Sequence, residues 1–562
     1  MASITSKKTI FFVTSPRTPI KMIEEINLLL DNYKAKAWNN ETQSLFAKDL
    51  ARADFFEGSI SKTYPDFSAR DRINRAPKAL GLVNLDPVVN KTKAGELFLT
   101  SKRPNEIFTR QLLKFQLPSP YHPDKQGKFA VKPYLELFRL VKDLKTLGKD
   151  EIAIFAMQLV NYKNYDIVKE KIINFRNQVK NIDRSKTSYK RERDKIFEKE
   201  LEKIFKDEIT NQKIKTRESS ISSLKKFIKT KKNNHLDYAD AAIRYLRATE
   251  LVSINLKTYK IYIPEEKENE VDFALSNIDR KPAIFPSKTE FKKYLFDDSV
   301  PKLALDDRVA IIDLIKNFEP KISADFLKQK TTEELKNIRD ELSHEKRTRS
   351  IKQQVKKIRT YKEHGDIMRT FEDIENRNTV DPSLIMEWNT WRAFEMLDDG
   401  EIIGNFKIDD NGVPLSVALG NNPDILCRYK TFDLIVEVTL STGQRQYEME
   451  GEPVARHLGN QKKSTNKETY CIFIANSLNP ATIAHFFMGH RTKIAYYGGI
   501  SKIIPIRLSD FKLMLQKAKD SSQKPKAINI KGLLDDLSDL AVQSENEKIW
   551  QESISEKIEN WI

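Results

Sequence analysis

The chain has 562 residues, with 97 Lys and Arg against 80 Asp and Glu, a net charge of +17. A single domain of roughly 100–200 residues accounts for only part of that length, and the two cysteines, Cys427 and Cys471, exclude a disulfide-built secreted scaffold and any CxxC-type zinc ribbon. The stretch Ile10-Phe11-Phe12-Val13 is too short for a signal-peptide core and no run approaches ~18 apolar residues, so the basic excess predicts a nucleic-acid partner, no membrane association and a reducing, cytoplasmic setting.

In chain order, residues 67–99 read as helix, β-type wing and helix. Ser68-Ala69-Arg70-Asp71-Arg72-Ile73 opens a helical pattern, and Thr92-Lys93-Ala94-Gly95 starts a second helix carrying Leu97 and Phe98. The same order recurs at 237–263, where Ala241-Ala242-Ile243-Arg244-Tyr245-Leu246 leads into two alternating, hairpin-like stretches. Both predict winged-helix-type subdomains. Between them lies a segment rich in Lys, Arg and Glu, in which Lys225, Lys226 and Lys229 have no acid among them from 221 to 235; such an uncompensated cluster suits phosphate contact. Residues 264–300 turn acidic and proline-containing, which marks a boundary. The helical stretch 303–361 shows no dense core pattern and predicts a linker.

From about 380 the pattern changes to alternating helices and short apolar strands. A helix is expected at 384–397, strands at 425–428, 434–440, 470–475 and 503–506, further helices around 444–457, 481–488 and 510–517, and an amphipathic helical tail over 531–562. The expected fold is multidomain α+β: recognition subdomains at 1–140 and 141–280, a helical linker at 281–379, and an α/β domain with a central mixed sheet at 380–562.

Asn422-Pro423-Asp424-Ile425 is followed by Asp433-Leu434-Ile435-Val436-Glu437-Val438-Thr439. The strand period of two sets Ile435, Glu437 and Thr439 on one face, so Glu437 is an acid inside a β-branched run, costly to bury without a partner. A tight hairpin through 428–432 would bring it to Asp424. A hard divalent cation relieves the repulsion between two such carboxylates, and Mg²⁺, which keeps waters and bridges to phosphate oxygens, fits best. Glu387 and Glu450 are further acids in reach. The alternative is structural: Asp424 caps a turn and Glu437 pairs with Arg428 or Arg445. No HExxH, Walker A, GxGxxG or GxSxG motif supports another chemistry, and His457, after Arg456, reads as either a phosphate contact or, as lone histidines more often are, a hydrogen bonder at a helix end.

Glu387-Trp388-Asn389-Thr390-Trp391, Gly420-Asn421-Asn422-Pro423-Asp424, Glu437-Val438-Thr439 and Met449-Glu450-Gly451-Glu452-Pro453-Val454-Ala455-Arg456-His457 resemble the catalytic domain of the AlwI family of type IIS restriction and nicking endonucleases. That family carries the PD…(D/E)xK signature of the restriction-endonuclease-like fold. Thr14-Ser15-Pro16-Arg17, Phe67-Ser68-Ala69-Arg70-Asp71-Arg72, Phe175-Arg176-Asn177 and Asp240-Ala241-Ala242-Ile243-Arg244-Tyr245-Leu246-Arg247 resemble its DNA-recognition region.

The resemblance implies a Mg²⁺-dependent endonuclease that cuts double-stranded DNA outside an asymmetric site. Asp424 and Glu437 would be metal ligands, Glu387 a ligand through water, and Glu450 an acid that either supports the ligands from behind or orients water. Thr439 stands where the wider superfamily has Lys, and Lys462 or Lys463 could replace it only if the fold brings them close. Arg70, Asp71, Arg72 and Arg75 are the types that read base edges; Arg17, Arg244 and Arg247 lie in the family-like words. One acidic cluster implies one strand cut per protomer, hence nicking alone and double-strand cleavage with a second copy or a small nuclease subunit. A cognate DNA methyltransferase is implied as system partner. The rival is a non-catalytic, sequence-specific DNA-binding regulator, for which the missing Lys argues.

Overall fold

The structure, a computed structural model, describes residues 3–53, 55–56, 60–61, 63–182, 189–216, 222–397, 400–417 and 422–562. Gly420 and Asn421 of the family-like word, and 183–188 and 217–221 of the basic segment, lie outside the described residues. The chain divides into two compact units, one of Met1–Ala53 with Ser59–Ser343, the other of His344–Ile562 with the short Asp54–Gly58.

In the first unit, helices α1 (Met22–Tyr33) and α2 (Pro65–Ile73) precede a two-stranded antiparallel ribbon, β1 (Val83–Asn84) with β2 (Asn90–Lys91), and then α3 (Lys93–Thr100). Thr92 caps α3: its Oγ1 accepts the Gly95 amide proton at 2.9 Å and donates to the Gly81 carbonyl at 2.6 Å, so one hydroxyl starts the helix and ties it to the chain before the ribbon. The second helix-then-ribbon segment is also present, as α4 (Leu224–Arg247) followed by β3 (Ser253–Asn255) paired antiparallel with β4 (Lys260–Tyr262). The two segments share a core. Tyr245 of α4 packs against Tyr134 and Phe108, and Phe108 against Phe98 of α3, with ring centroids 5.7–6.3 Å apart.

The stretch after 303 differs from expectation, because it has a dense core. Ala304, Leu305, Leu327 and Leu335 pack with Ile311, Leu314 and Ile315 of α5 (Arg308–Phe318). The last three follow the spacing of one helix face, and the polar residues that dilute the pattern are the solvent side of the same helices. Arg103 fixes this cluster to the rest of the unit through Asp340 at 2.6 Å and Glu333 at 2.7 Å. The division between the units falls inside α6 (Thr332–Ile358).

The second unit contains α7 (Pro382–Leu397), β5 (Glu401–Gly404), a ribbon of β6 (Phe406–Ile408) and β7 (Pro414–Val417), β8 (Ile425–Arg428), β9 (Phe432–Thr439), α8 (Gln444–Ser464), β10 (Glu468–Ala475), α9 (Pro480–Arg491), β11 (Ile503–Arg507), α10 (Leu508–Asp520), α11 (Ala527–Gln543) and α12 (Glu547–Glu559). Its five-stranded sheet has the order β11-β10-β9-β8-β5; β9, β10 and β11 run parallel, and β8 is antiparallel to both β9 and β5. This is the expected mixed sheet. β9 and β10 are central and buried along almost their whole length, which is why their sequences read as continuous apolar runs. Pro505 is tolerated because β11 is an edge strand, with no further strand on its other side among the described residues. The expected helix at 444–457 continues to Ser464, and the tail forms two helices packed through the buried Trp550, whose indole donates to the Leu537 carbonyl at 3.0 Å.

Candidate active site

The hairpin of β8 and β9 pairs Ile425 with Val436, and one further step of that register sets Asp424 across from Glu437. Asp424 is held on both sides of its residue: its Oδ2 accepts the Val438 amide proton at 2.8 Å and its carbonyl accepts that of Asn405 at 2.8 Å. The buried Cys471 thiol borders both acids. Burial pushes its pKa well above the ordinary range, and the charges of Glu437 and Asp424 push it further.

Helix α8 crosses β9 in the opposite direction and meets the face that carries Asp433, Glu437 and Thr439. Gln461 donates to Asp433 Oδ2 at 2.9 Å, His457 donates its Nδ1 proton to Glu437 Oε1 at 2.7 Å, and Thr439 Oγ1 donates to Glu450 Oε1 at 2.6 Å. Glu450 and His457 are seven residues apart, two turns, and so share the helix face turned to the strand. That spacing is the signal by which His457 could have been found in the sequence. The pairing of Glu437 with Arg428 or Arg445 is not what forms: Arg428 faces Glu401, at 3.8 Å, and Glu437 meets His457.

Glu387 is buried on α7, a helix that packs against β8 and β9, the strands that position Asp424 and Glu437. Among the described residues no group of three or more His, Cys, Asp or Glu side chains is arranged to hold a metal ion. What the fold sets across from each other by strand register is Asp424 and Glu437, and Glu450 is hydrogen-bonded to Thr439, two residues along the strand from Glu437. Two carboxylates offering only oxygen fit Mg²⁺, which keeps several of its waters and takes one or two protein carboxylates, better than a metal needing a full protein cage. Lys462 donates to the Ile500 carbonyl and Lys463 to that of Tyr496, so both candidate ammonium groups are engaged by backbone oxygens.

The recognition candidates are placed unequally. Lys225, Lys226 and Lys229 are exposed at the start of α4. Arg17 is exposed and within 3.2 Å of Asp237. On α2, Arg70 stacks on Phe67 at 3.9 Å and lies 3.5 Å from Asp66, while Arg75, in the turn just after the helix, bridges Asp71 and Thr14. Arg72 instead turns inward to Glu25, at 2.7 Å. Arg244 is bound by Asp240 at 3.0 Å. Arg247 corrects the sequence reading outright: at 1% exposure it is a core cation and not a surface contact.

The sequence model of the AlwI restriction endonuclease family matches residues 80–515, a span that includes all four acids and the α4 lysines but not Arg17 or the arginines of α2. Among solved structures, the small subunit (R.BspD6I2) of the heterodimeric restriction endonuclease R.BspD6I is similar at 29% identity over 34% of this chain and 98% of that chain, with a TM-score of 0.30. The BpuJ1 endonuclease binding domain, crystallised with pyrene- and phenanthrene-modified DNA, is similar at 15% identity over 51% of this chain and 94% of that chain, with a TM-score of 0.33. No curated protein matches the chain. The family match extends over well more than half of the sequence and takes in the carboxylate pair with the helix that braces it: the chain belongs to the AlwI restriction endonuclease family.

Proposed function

We propose that this protein is a Mg²⁺-dependent type IIS endodeoxyribonuclease, which binds an asymmetric site in double-stranded DNA and hydrolyses a phosphodiester outside it, one strand per protomer. The observation that carries this reading is the Asp424–Glu437 pair, set on adjoining strands and braced from α8, in a chain of the AlwI family. Asp424 and Glu437 would hold the ion, with Glu387 reaching it through water; when bound it supplies an activated water and offsets the charge that builds on the phosphate. The protein's own part is orientation. The Val438 amide fixes the Asp424 carboxylate, the His457 imidazole fixes that of Glu437, and Thr439 fixes that of Glu450.

Binding would fall to residues 1–280 as winged-helix-type recognition subdomains, and 281–379, whose first part packs as a helical core within the first unit, would connect them to the nuclease domain at 380–562. Lys225, Lys226 and Lys229 would grip phosphates, and Arg17, Arg70, Asp71 and Arg75 would supply base and backbone contacts. One carboxylate pair per chain predicts a nick. A double-strand break then needs a second nuclease domain, from another copy on the DNA or from a small subunit. The setting would be the cytoplasm, alongside a methyltransferase that protects host DNA.

Supercoiled plasmid incubated with the purified protein and Mg²⁺ tests this. Site-specific open circles are the expected product, and linear DNA would mean that two copies act together. Intact plasmid with retarded mobility in a binding gel would overturn the enzyme reading in favour of a DNA-binding regulator.

A further inference from the structure

Thr439 occupies the position at which the wider nuclease superfamily carries a lysine, and its side chain is engaged at both ends of one hydroxyl. Oγ1 accepts the Ser441 amide proton at 3.0 Å and donates its own to Glu450 Oε1 at 2.6 Å. The second contact is in the range of a charge-assisted O–H···O⁻ bond, shorter and stronger than a neutral one. The first fixes the direction of that donation, because a hydroxyl whose lone pair is taken by the Ser441 amide points its proton elsewhere. Thr439 is buried, at 6% exposure, and its branched Cβ restricts χ1, so the hydroxyl has little freedom to turn away.

The approach of α8 to the end of β9 is itself locked. The buried Gln446 donates to the carbonyls of Ser441 and Ser477, each at 2.9 Å, and its Oε1 accepts the Asn479 amide proton at 2.8 Å. The first turn of α8 is therefore fixed to the loop after β9 and to the loop after β10, one turn before Glu450. Thr439 follows Glu437 by two residues on the same strand face, about 6.6 Å along the strand. The result is a reciprocal brace: the strand's carboxylate, Glu437, is held by His457 of the helix, and the helix's carboxylate, Glu450, is held by Thr439 of the strand.

We infer that Thr439 is a positioning residue that sets the Glu450 carboxylate against the Asp424–Glu437 pair, and that this hydroxyl–carboxylate unit takes the place of the superfamily lysine. A carboxylate has two oxygens in one plane; fixing Oε1 fixes where Oε2 points, which is what a water-orienting acid requires. The inference rests on the catalytic reading above, and its test separates the two.

The test measures single-turnover nicking at saturating Mg²⁺ for the wild type, Thr439→Val, Thr439→Ser, Glu450→Gln and the double variant T439V/E450Q. Site binding in EDTA and thermal unfolding are followed for each. Thr439→Val keeps the shape and removes the hydroxyl, and is expected to lower the rate about 10–100-fold, the usual effect of losing a residue that orients a site group. Thr439→Ser is expected to cleave within about 3-fold of wild type by keeping the same donor. Adding Thr439→Val to Glu450→Gln is expected to cost little more, since the group being oriented has already lost its charge. DNA affinity should hold throughout, and each variant should stay folded at the assay temperature, with at most a modest fall in melting temperature for Thr439→Val, which leaves two polar partners unsatisfied.

Near-normal cleavage by Thr439→Val, or equal impairment of Thr439→Ser, would overturn the inference. So would a fall in rate matched by loss of folding or site binding, which marks a structural role. Failure of the catalytic reading looks different: there Asp424→Ala cuts as fast as wild type, whatever the Thr439 variants do.

Discussion

Arg72 has the residue type of a base reader and a different place in the fold. It meets Glu25 at 2.7 Å, and that carboxylate side chain is 2% exposed. Burial pushes the Glu25 pKa up from 4.5 to about 7, against the pull of Arg72. Because the folded chain then holds the proton more tightly than the unfolded one, this group weakens folding most above pH 7, and stability rises as pH falls from about 7 towards 4.5. Arg72→Ala strands a buried carboxylate and is expected to cost about 3 kcal/mol at pH 8, and less at pH 5, where Glu25 is protonated in the folded state. Denaturant unfolding at the two pH values measures this. Unchanged stability with lost site discrimination would instead make Arg72 a base contact. The sequence shows Arg72 on a helix with Arg75, but its partner is 47 positions away on α1, and no local pattern carries that contact.

At the scale of elements, α4 begins against its own electrostatics. Its first turn carries Lys225 and Lys226 and no acid, although the helix N-terminus favours negative charge. The proposed phosphate contact would resolve that conflict by bringing the negative charge in from the ligand. The triple change of Lys225, Lys226 and Lys229 to Ala is expected to weaken specific and non-specific DNA alike, and to flatten the plot of log affinity against log salt by up to about 3. A selective loss of specific binding with an unchanged slope would contradict it. The strands of the second unit differ in how plainly they are written. β8, β9 and β10 are legible because each carries a run of mostly apolar residues, as interior strands of a covered sheet do. β5, β6 and β7 are three or four residues each, and β5 is an edge strand reading Glu401-Ile402-Ile403-Gly404, too short and too mixed for a period to emerge. The face of β9 that bears Glu437 was readable from alternation. That His457 and Glu450 close over it required the path of α8, which depends on Gln446 reaching two separate loops.

For the whole molecule, the surplus of +17 and the carboxylate pair are opposite demands met in different parts of one chain. The exposed lysines of α4 belong to the first compact unit and Asp424, Glu437 and Glu450 to the second. Grip and chemistry can therefore be separated by a single substitution. The measurement to make is Asp424→Ala beside wild type on the same supercoiled plasmid with Mg²⁺, with site binding followed by gel mobility. Loss of cleavage by at least about a thousandfold, on the order of 4 kcal/mol of barrier, with site affinity within about 2-fold of wild type is the predicted result. An Asp424→Ala protein that still nicks at the wild-type rate would contradict the assignment of the β8–β9 carboxylate pair as the cutting site.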